Sequence, residues 1–396
     1  MKSILAIAFL LSLGNCALTL VKHPIETGAR CLDGSEAALY YALGSPANRT
    51  KFLIYFSGGG LCKGLTLADT LEDCYKRSFG GLGSSLNYPP TTEIPNESML
   101  SEDAVINPAF HDWTKVLVPY CDGSEHQGSR REPVPYKGRD LYFRGMNNSI
   151  QQFAYLNSTL GLYAADIIAL SGTSAGAIAT FEWSNYLYER SLNKQVFAVP
   201  DSGLFVPEYI NPVTGRADEI DRISNLIKLV NTEVKFPIPQ CSDDFADNPA
   251  ICFSAGHLAQ YLKAPFFIIA SQYDAWSVEN ILGLNCTKTR PGTMTDCNAS
   301  EIAVLEDYRK TTMVALRNLT TLKTVGIWSP SCIQHGFTAE LSYYSEKYLI
   351  PSGTGISLAK AINAFLLNPS GQHIYIDDFG WPANSGCSGL AAPVFQ

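Results

Sequence analysis

The chain has 396 residues, of which 46% are hydrophobic and 17% are charged, a composition typical of a globular protein and not of a disordered or fibrous one. Its 29 Lys and Arg against 37 Asp and Glu give a net charge of -8 without any basic run, which argues against nucleic acid or an anionic membrane surface as a partner. No repeat or low-complexity linker divides the chain, so we predict a single domain after the N-terminal segment.

The N-terminus has the pattern of a secretory signal. Lys2 supplies a positive charge, residues 4–13 are apolar, and small residues lie near Ala17. This apolar stretch is too short to span a bilayer, which takes about 20 residues. We therefore predict a signal peptide over residues 1–17 and a secreted mature chain over 18–396, without a transmembrane anchor. The destination would be the extracellular space, a cell wall or the secretory-lysosomal lumen.

Short apolar runs rich in β-branched and aromatic residues end abruptly in Gly, Ser, Pro or Asp, as buried strands do. In chain order these runs are residues 51–56, 114–119, 167–171, 196–199, 266–270 and 325–328. Helical stretches such as 175–192 and 301–319 lie between them. The alternation predicts an α/β fold with a mostly parallel central sheet flanked by helices. Residues 65–101 and 201–249 are Gly-, Ser- and Pro-rich and are predicted to be irregular excursions, the second a candidate lid.

A glycine-rich loop, Ser57-Gly58-Gly59-Gly60, follows the first strong strand, as it does in lipases and esterases. The backbone N–H groups of Gly59 and Gly60, with that of Ala175, are the predicted donors to an oxyanion. A phosphate-binding loop is the alternative, but no Gly-Lys-Ser/Thr follows.

The sequence Gly172-Thr173-Ser174-Ala175-Gly176 lies between a predicted strand and a predicted helix. This is the context of a nucleophile elbow, in which a sharp turn exposes the serine and leaves no room for side chains at the two glycines. A Gly/Ser-rich turn without chemistry is the alternative. We predict Ser174 as the nucleophile.

A serine nucleophile needs a histidine to accept its proton and an acid to orient that histidine. In α/β-hydrolases the acid and then the histidine follow the serine along the chain. His335 comes after the strand at 325–328 through an exposed loop and is the predicted base, whereas His257 and His373 are interpreted as surface or core histidines.

Two aspartates directly follow strand-like runs downstream of Ser174. Asp274 follows the apolar run that starts at residue 266, and Asp201 follows the run at 196–199. Both positions suit the acid of a triad, and strand context favours Asp274 with Asp201 as the alternative.

Cysteines and glycosylation motifs fit the predicted compartment. Without Cys16 of the signal, ten cysteines remain, an even number that suits disulfide bonds. No Cys-X-X-Cys or His-Glu-X-X-His motif occurs, so neither a structural metal nor another cofactor is predicted. Seven Asn-X-Ser/Thr motifs are candidate glycosylation sites. They are Asn48, Asn96, Asn147, Asn157, Asn285, Asn298 and Asn318.

Motifs of one protein family occur along nearly the whole mature chain. They lie at residues 31–35, 56–62, 119–123, 141–145, 171–177, 201–205, 264–266, 273–276 and 331–335. In these motifs the chain resembles the pectin acetylesterase family, whose animal branch is the palmitoleoyl-protein carboxylesterase Notum. The resemblance implies an α/β-hydrolase-like fold with Ser174, Asp274 and His335 as the triad, and it selects Asp274 over Asp201.

The resemblance is closer to the plant-type branch. Trp276 beside Asp274 matches that branch, although Ser57 and Leu61 stand where its members usually carry Glu and Trp. The resemblance therefore implies a serine esterase that removes O-acetyl groups from a polysaccharide. A lipid or protein deacylase of the Notum kind and a non-catalytic carbohydrate-binding glycoprotein are the alternatives. A catalytically dead relative is expected to lose a triad member, and none is missing.

Ten cysteines allow many disulfide pairings, and the sequence alone does not choose among them. Proximity along the chain and the resemblance together favour four pairs, and the two cysteines that remain make a fifth pair. The pairs are Cys62 with Cys74, Cys241 with Cys252, Cys286 with Cys297, Cys31 with Cys121, and, as the remainder, Cys332 with Cys387. The last pair would hold the loop that carries His335.

Overall fold

The computed structural model describes residues 17–230, 238–384 and 387. Of the predicted signal peptide only Ala17 falls within these ranges, so that prediction lies outside the described residues. Among the described residues, no helix has the length and apolarity needed to cross a membrane.

A ten-stranded sheet forms the centre of the molecule, and two small two-stranded sheets flank it. The strands are β1 (Ala17–Lys22), β2 (Ala38–Ala42), β3 (Lys51–Phe56), β4 (Thr91–Glu93), β5 (Thr114–Val118), β6 (Val134–Tyr136), β7 (Arg139–Leu141), β8 (Ile167–Thr173), β9 (Val196–Asp201), β10 (Phe266–Ile269), β11 (Tyr273–Asp274), β12 (Val325–Ser329), β13 (Ile333–Gln334) and β14 (His373–Ile376). The helices are α1 (Leu67–Arg77), α2 (Gly145–Leu160), α3 (Ala175–Arg190), α4 (Asp218–Val230), α5 (Pro239–Asp244), α6 (Ala255–Leu258), α7 (Ala275–Asn280), α8 (Ala299–Leu319) and α9 (Leu358–Leu367).

The large sheet has the order β14-β12-β10-β9-β8-β3-β5-β2-β1-β4. The first seven of these strands run parallel to one another. The remaining three add antiparallel strands at one edge. This arrangement confirms the predicted mostly parallel sheet, and all six predicted strands and both predicted helices occur within two residues of the expected bounds.

The parallel strands are buried on both faces, because successive side chains of a strand point to opposite sides. On β3, Phe52 and Ile54 belong to one core cluster with Phe153 of α2 and Trp183 of α3. Leu53, the residue between them, belongs to a second cluster that includes α9. The sheet therefore separates two apolar layers of helices.

The structure corrects two details of the sequence-based expectation. The segments 65–101 and 201–249 are not wholly irregular, since the first contains α1 and the second contains α4 and α5. α4 buries Ile223, Leu226 and Leu229 at helical spacing. The Gly and Pro content of the whole segment 201–249 does not reveal this local apolar pattern.

The apolar run before Asp274 is also not one continuous strand. β10 ends at Ile269, and Asp274 lies on the separate strand β11. Between them Gln272 donates hydrogen bonds to the carbonyl oxygens of Ser329 (3.2 Å) and Asp377 (2.7 Å). These bonds replace strand pairing at that point and lead the chain out of the large sheet.

Candidate active site

Several chemically competent residues follow the carboxyl ends of parallel strands, where open α/β sheets bind their ligands. The Ser57–Gly60 loop follows β3, Ser174 follows β8, and His335 follows β13. Ser174, His335 and the glycines of the loop line one open cleft of about 760 Å³.

Ser174 occupies a sharp turn between β8 and α3, with φ 61° and ψ -121°. This backbone conformation is rare for a residue with a side chain. The flanking glycines allow the turn: a Cβ on Gly176 would lie 2.0 Å from the carbonyl oxygen of Phe56, and one on Gly172 would lie 2.5 Å from that of Gly176. The local geometry is that of a nucleophile elbow.

Asp274 and His335 form a buried hydrogen bond, with 2.6 Å between Oδ2 of the aspartate and Nδ1 of the histidine. The small parallel sheet of β11 and β13 brings them together by pairing Asp274 with Gln334, the neighbour of His335. The second oxygen of Asp274 accepts hydrogen bonds from the N–H (2.8 Å) and the hydroxyl (2.9 Å) of Ser277 at the start of α7. Both carboxylate oxygens are thus held in place.

Charged neighbours control the protonation of His335. Burial alone would lower its pKa, but the carboxylates of Asp274, Asp201 and Glu340 stabilise the imidazolium, and the net effect is a raised pKa. With Nδ1 bound to Asp274, Nε2 is the nitrogen left to exchange a proton within the cleft.

The loop Ser57–Leu61, which we call the oxyanion loop, lies directly against the elbow. A Cβ on Gly58 would come within 3.1 Å of the Ser174 Cβ. The loop is fixed by the N–H of Ser57, which donates to Val118 (2.9 Å). Within the described part of the chain, nothing accepts a hydrogen bond from the N–H groups of Gly59 and Gly60. These are the free donors that an oxyanion hole requires.

Asp201, the alternative acid, has a different position. Its Oδ2 accepts hydrogen bonds from the N–H groups of Phe337 (2.7 Å) and Thr338 (2.8 Å) and from the hydroxyls of Thr338 (2.8 Å) and Thr173 (3.1 Å). It therefore joins the segment after His335 to the residue before Ser174. In the sequence, Asp201 was a candidate because it follows a strand-like run. Its bridging position, in contrast, depends on the tertiary fold.

A second, smaller and more enclosed cavity of about 10 Å³, which we call the closed cavity, adjoins the cleft and is also lined by Ser174. That space admits one water molecule or a group of similar size. Its walls combine apolar side chains with two buried glutamates. The lining residues are Gly60, Leu61, Glu125, Ser174, Phe205, Glu219, Ile223, Phe253 and Trp276.

Neither glutamate was predicted from the sequence, because no motif marks them. Glu219 accepts a hydrogen bond from Arg222 at 2.9 Å, and its burial raises the pKa of its carboxyl. Burial, followed by the charges of Glu219 and Asp122, raises the pKa of Glu125 to about 8. Glu125 is therefore mostly protonated at neutral pH.

The histidines that were set aside lie elsewhere. His257 contacts Glu208 at 2.9 Å, and His373 contacts the carbonyl oxygen of Asn368 at 2.7 Å. Neither lines the cleft or the closed cavity.

Five disulfide bonds join the same cysteines that were paired above. They are Cys31–Cys121, Cys62–Cys74, Cys241–Cys252, Cys286–Cys297 and Cys332–Cys387. None of the seven glycosylation motifs has a buried asparagine. Among the described residues, one group has the spacing of a metal site, Cys286, Cys297 and Glu301, but its two sulfur atoms are bonded to each other.

Comparison with known proteins finds plant relatives over most of the chain. Pectin acetylesterase 5 of Arabidopsis thaliana is 27% identical over 374 residues, which are 91% of this chain and 82% of that protein. Pectin acetylesterase 11 of the same plant is 26% identical over 326 residues, 80% of this chain and 79% of the relative. The palmitoleoyl-protein carboxylesterase NOTUM of Schmidtea mediterranea is 29% identical over 268 residues, 64% of this chain and 48% of that protein.

The fold also matches a solved structure. The crystal structure of the Wnt deacylase Notum from Drosophila superposes with a TM-score of 0.74 at 21% identity, covering 92% of this chain and 97% of that one. This match confirms the α/β-hydrolase-like fold. The pectinacetylesterase family model matches residues 13–388, and the chain belongs to that family.

Proposed function

We propose that the protein is a secreted serine carboxylesterase that removes O-acetyl groups from a polysaccharide. The observation that carries the proposal is the buried 2.6 Å hydrogen bond between Asp274 and His335 on a cleft that Ser174 also lines. Membership of the pectinacetylesterase family supports the same reaction.

In this proposal Ser174 Oγ attacks the ester carbonyl carbon while His335 Nε2 takes the hydroxyl proton. The N–H groups of Gly59, Gly60 and Ala175 stabilise the negative charge on the carbonyl oxygen. The carbonyl–alkoxide bond breaks, His335 gives its proton to the leaving sugar oxygen, and an acetyl-enzyme forms. Water then attacks the acetyl carbon, His335 takes the proton of the water, and acetate leaves as Ser174 regains its hydrogen. Asp274 stabilises the imidazolium at each step.

The unequal sizes of the two spaces that Ser174 lines support an acetyl ester. The closed cavity of about 10 Å³ suits the methyl group of an acetyl, and it has no room for an acyl chain of many carbons. The open cleft of about 760 Å³ is large enough for a sugar residue of a polymer. A Notum-like deacylase would need a much deeper acyl pocket beside its nucleophile.

Secretion is supported by the five disulfide bonds and by the exposed or half-exposed positions of the glycosylation motifs. An oxidising compartment is where such bonds form and persist. Acetylated polysaccharides of cell walls are also extracellular, so compartment and substrate agree.

The test is ester hydrolysis by the wild-type protein and by Ser174→Ala, with Ser158→Ala on the exposed face of α2 as a matched control. We expect Ser174→Ala to lower kcat for p-nitrophenyl acetate by on the order of 10⁴ to 10⁶, and the control to match the wild type. Retention of more than about a tenth of the activity by Ser174→Ala would exclude this nucleophile, since triad serines contribute far more than tenfold.

The substrate specificity of the wild-type enzyme tests which acyl group it removes. Rates on p-nitrophenyl acetate, butyrate and octanoate should fall steeply with chain length, and acetate should be released from an acetylated pectin. Faster hydrolysis of octanoate than of acetate would favour the lipid deacylase instead.

A further inference from the structure

The guanidinium of Arg77, the last residue of α1, lies against the oxyanion loop. Its Nη1 donates a hydrogen bond to the carbonyl oxygen of Gly59 (2.7 Å), and its Nη2 donates to that of Leu61 (3.1 Å). The mechanism described above gives this residue no role.

The first of these bonds fixes the direction of a proposed oxyanion donor. In a trans peptide the C=O and the following N–H point to opposite sides. Because the Gly59 carbonyl points at Arg77, the N–H of Gly60 points away from Arg77. Gly60 lines both spaces that adjoin Ser174, and its N–H has no acceptor within the described residues.

The charge of Arg77 adds a second effect. A guanidinium is a permanent cation in proteins and offers only hydrogen-bond donors. A cation that hydrogen-bonds to a peptide carbonyl polarises the peptide, so that its N–H becomes a stronger donor. Negative charge on the substrate oxygen would therefore be stabilised by Arg77 through the Gly59–Gly60 peptide.

Other contacts hold the ends of the loop. His126 Nε2 contacts the carbonyl oxygen of Ser57 at 3.1 Å, and Cys62 donates its N–H to Gly123 at 2.8 Å. The Cys62–Cys74 disulfide also ties the loop to α1. Because these anchors do not involve Arg77, its replacement should leave the loop in place and release only the central peptide.

We infer that Arg77 is a positioning residue of the oxyanion hole, which orients and polarises the Gly60 N–H through the Gly59 carbonyl. The inference rests on the proposed function, because it assumes that an ester oxygen acquires negative charge beside Ser174.

The test compares Arg77→Met and Arg77→Lys with Lys76→Met, which removes a charge from an exposed neighbour on the same helix. On p-nitrophenyl acetate we expect Arg77→Met to lower kcat about 10- to 100-fold with KM changed less than threefold, since the donor is misdirected and not removed. Arg77→Lys keeps the charge with fewer donors and should restore part of kcat. Lys76→Met should match the wild type.

A boronic acid gives a readout that a merely structural role would not move. It forms a tetrahedral anion on a serine nucleophile, and its inhibition constant should rise across the Arg77 variants in parallel with the loss of kcat/KM. Circular dichroism spectra equal to the wild type would show that each variant is folded.

Three results would overturn the inference. An unchanged kcat in folded Arg77→Met would show that Arg77 is not needed to orient or polarise the Gly60 N–H. A raised KM at unchanged kcat would show that Arg77 contacts the substrate directly instead. Absence of Ser174-dependent hydrolysis in the wild type would overturn the proposed function, and the Arg77 inference with it, so the two failures are distinguishable.

Discussion

The turn at Ser174 is made possible by glycines two residues before and after it, which let the turn pack against Phe56. Asp274 and His335, in contrast, lie 61 residues apart and are brought together by pairing between distant segments. The elbow depends on glycines at 172 and 176 that let backbone approach backbone. The proposed acid–base pair, Asp274 and His335, depends on β11 pairing with β13 and on Asp201. The two regions should therefore fail in different ways when they are mutated.

Among the variants that compare these two regions, the largest effect is expected where a side chain blocks the elbow. In Gly176→Ala the new methyl would lie 2.0 Å from the Phe56 carbonyl oxygen, so the backbone must move and Ser174 with it. We expect kcat to fall at least about 100-fold and the free energy of unfolding to fall by about 1–3 kcal/mol, as for other overpacked sites. Urea denaturation and p-nitrophenyl acetate assays measure both. The control is Gly256→Ala, where the nearest atom lies 3.6 Å from the new methyl.

A smaller loss is expected when the long-range anchor is weakened. In Asp201→Asn the uncharged amide oxygen accepts hydrogen bonds more weakly than the carboxylate, so the four bonds that now reach Oδ2 weaken and the segment after His335 should loosen. We predict a fall in kcat of about 10- to 100-fold, because misplaced catalytic groups lose rate steeply. Thr338→Val removes one donor to this carboxylate and should lose less. Equal activity of Asp201→Asn and the wild type would mean that the β11–β13 pairing is enough to position His335 without Asp201.

The pH dependence of the activity tests the effect of Glu125, which lines the closed cavity next to Ser174. Because the pKa of Glu125 is raised to about 8, its carboxyl ionises above that pH and places a negative charge near the forming oxyanion. Activity should therefore decline through about pH 8, and Glu125→Gln should lose this decline. The unfolded carboxyl has an ordinary pKa, so the stability that Glu125 contributes should be lost as pH rises from about 4.5 to 8, and the free energy of unfolding should fall less over this range in the variant than in the wild type. A decline that persists in Glu125→Gln would assign it to another group.

The smallest effect concerns the acidic side of the same profile. In the proposed mechanism His335 must be neutral to accept a proton, and its raised pKa means that activity should appear only above about pH 6.5. Glu340 is one of the carboxylates that raise this pKa. Glu340→Gln should shift the acid limb to lower pH by less than about one unit. Glu346→Gln, which breaks a surface ion pair with Lys360, is the control and should leave the limb unmoved.

The difference between the elbow and the Asp274–His335 pair also explains what the sequence could predict. Strands and the elbow are marked locally, by apolar runs and by glycine spacing, so their places follow from a few neighbouring residues. Order along the chain and position after apolar runs favoured Asp274 and His335, and the family resemblance selected Asp274 over Asp201. The break between β10 and β11 was not visible in the apolar run. The hydrogen bond between the two side chains is a property of the tertiary structure.

The walls of the cleft and of the closed cavity were not predictable in this way. Arg77, Glu125 and Glu219 come from segments far apart in the chain, and no spacing relates them. Their positions depend on how α1 and α4 pack near the elbow. A buried acid such as Glu125 looks like a surface residue in a sequence, since most glutamates are exposed.

The backbone of Ser174 also affects how stably the protein folds. A residue with φ 61° and ψ -121° stores strain of about 1–3 kcal/mol that glycine would not have. Alanine keeps this strain, so Ser174→Gly should be more stable than Ser174→Ala by about 1 kcal/mol, although both lack the proposed nucleophile. Chemical denaturation of the two variants measures the difference. A substitution that relieves this strain would then also abolish the proposed activity, and the difference in the free energy of unfolding would measure the cost of holding Ser174 in this conformation.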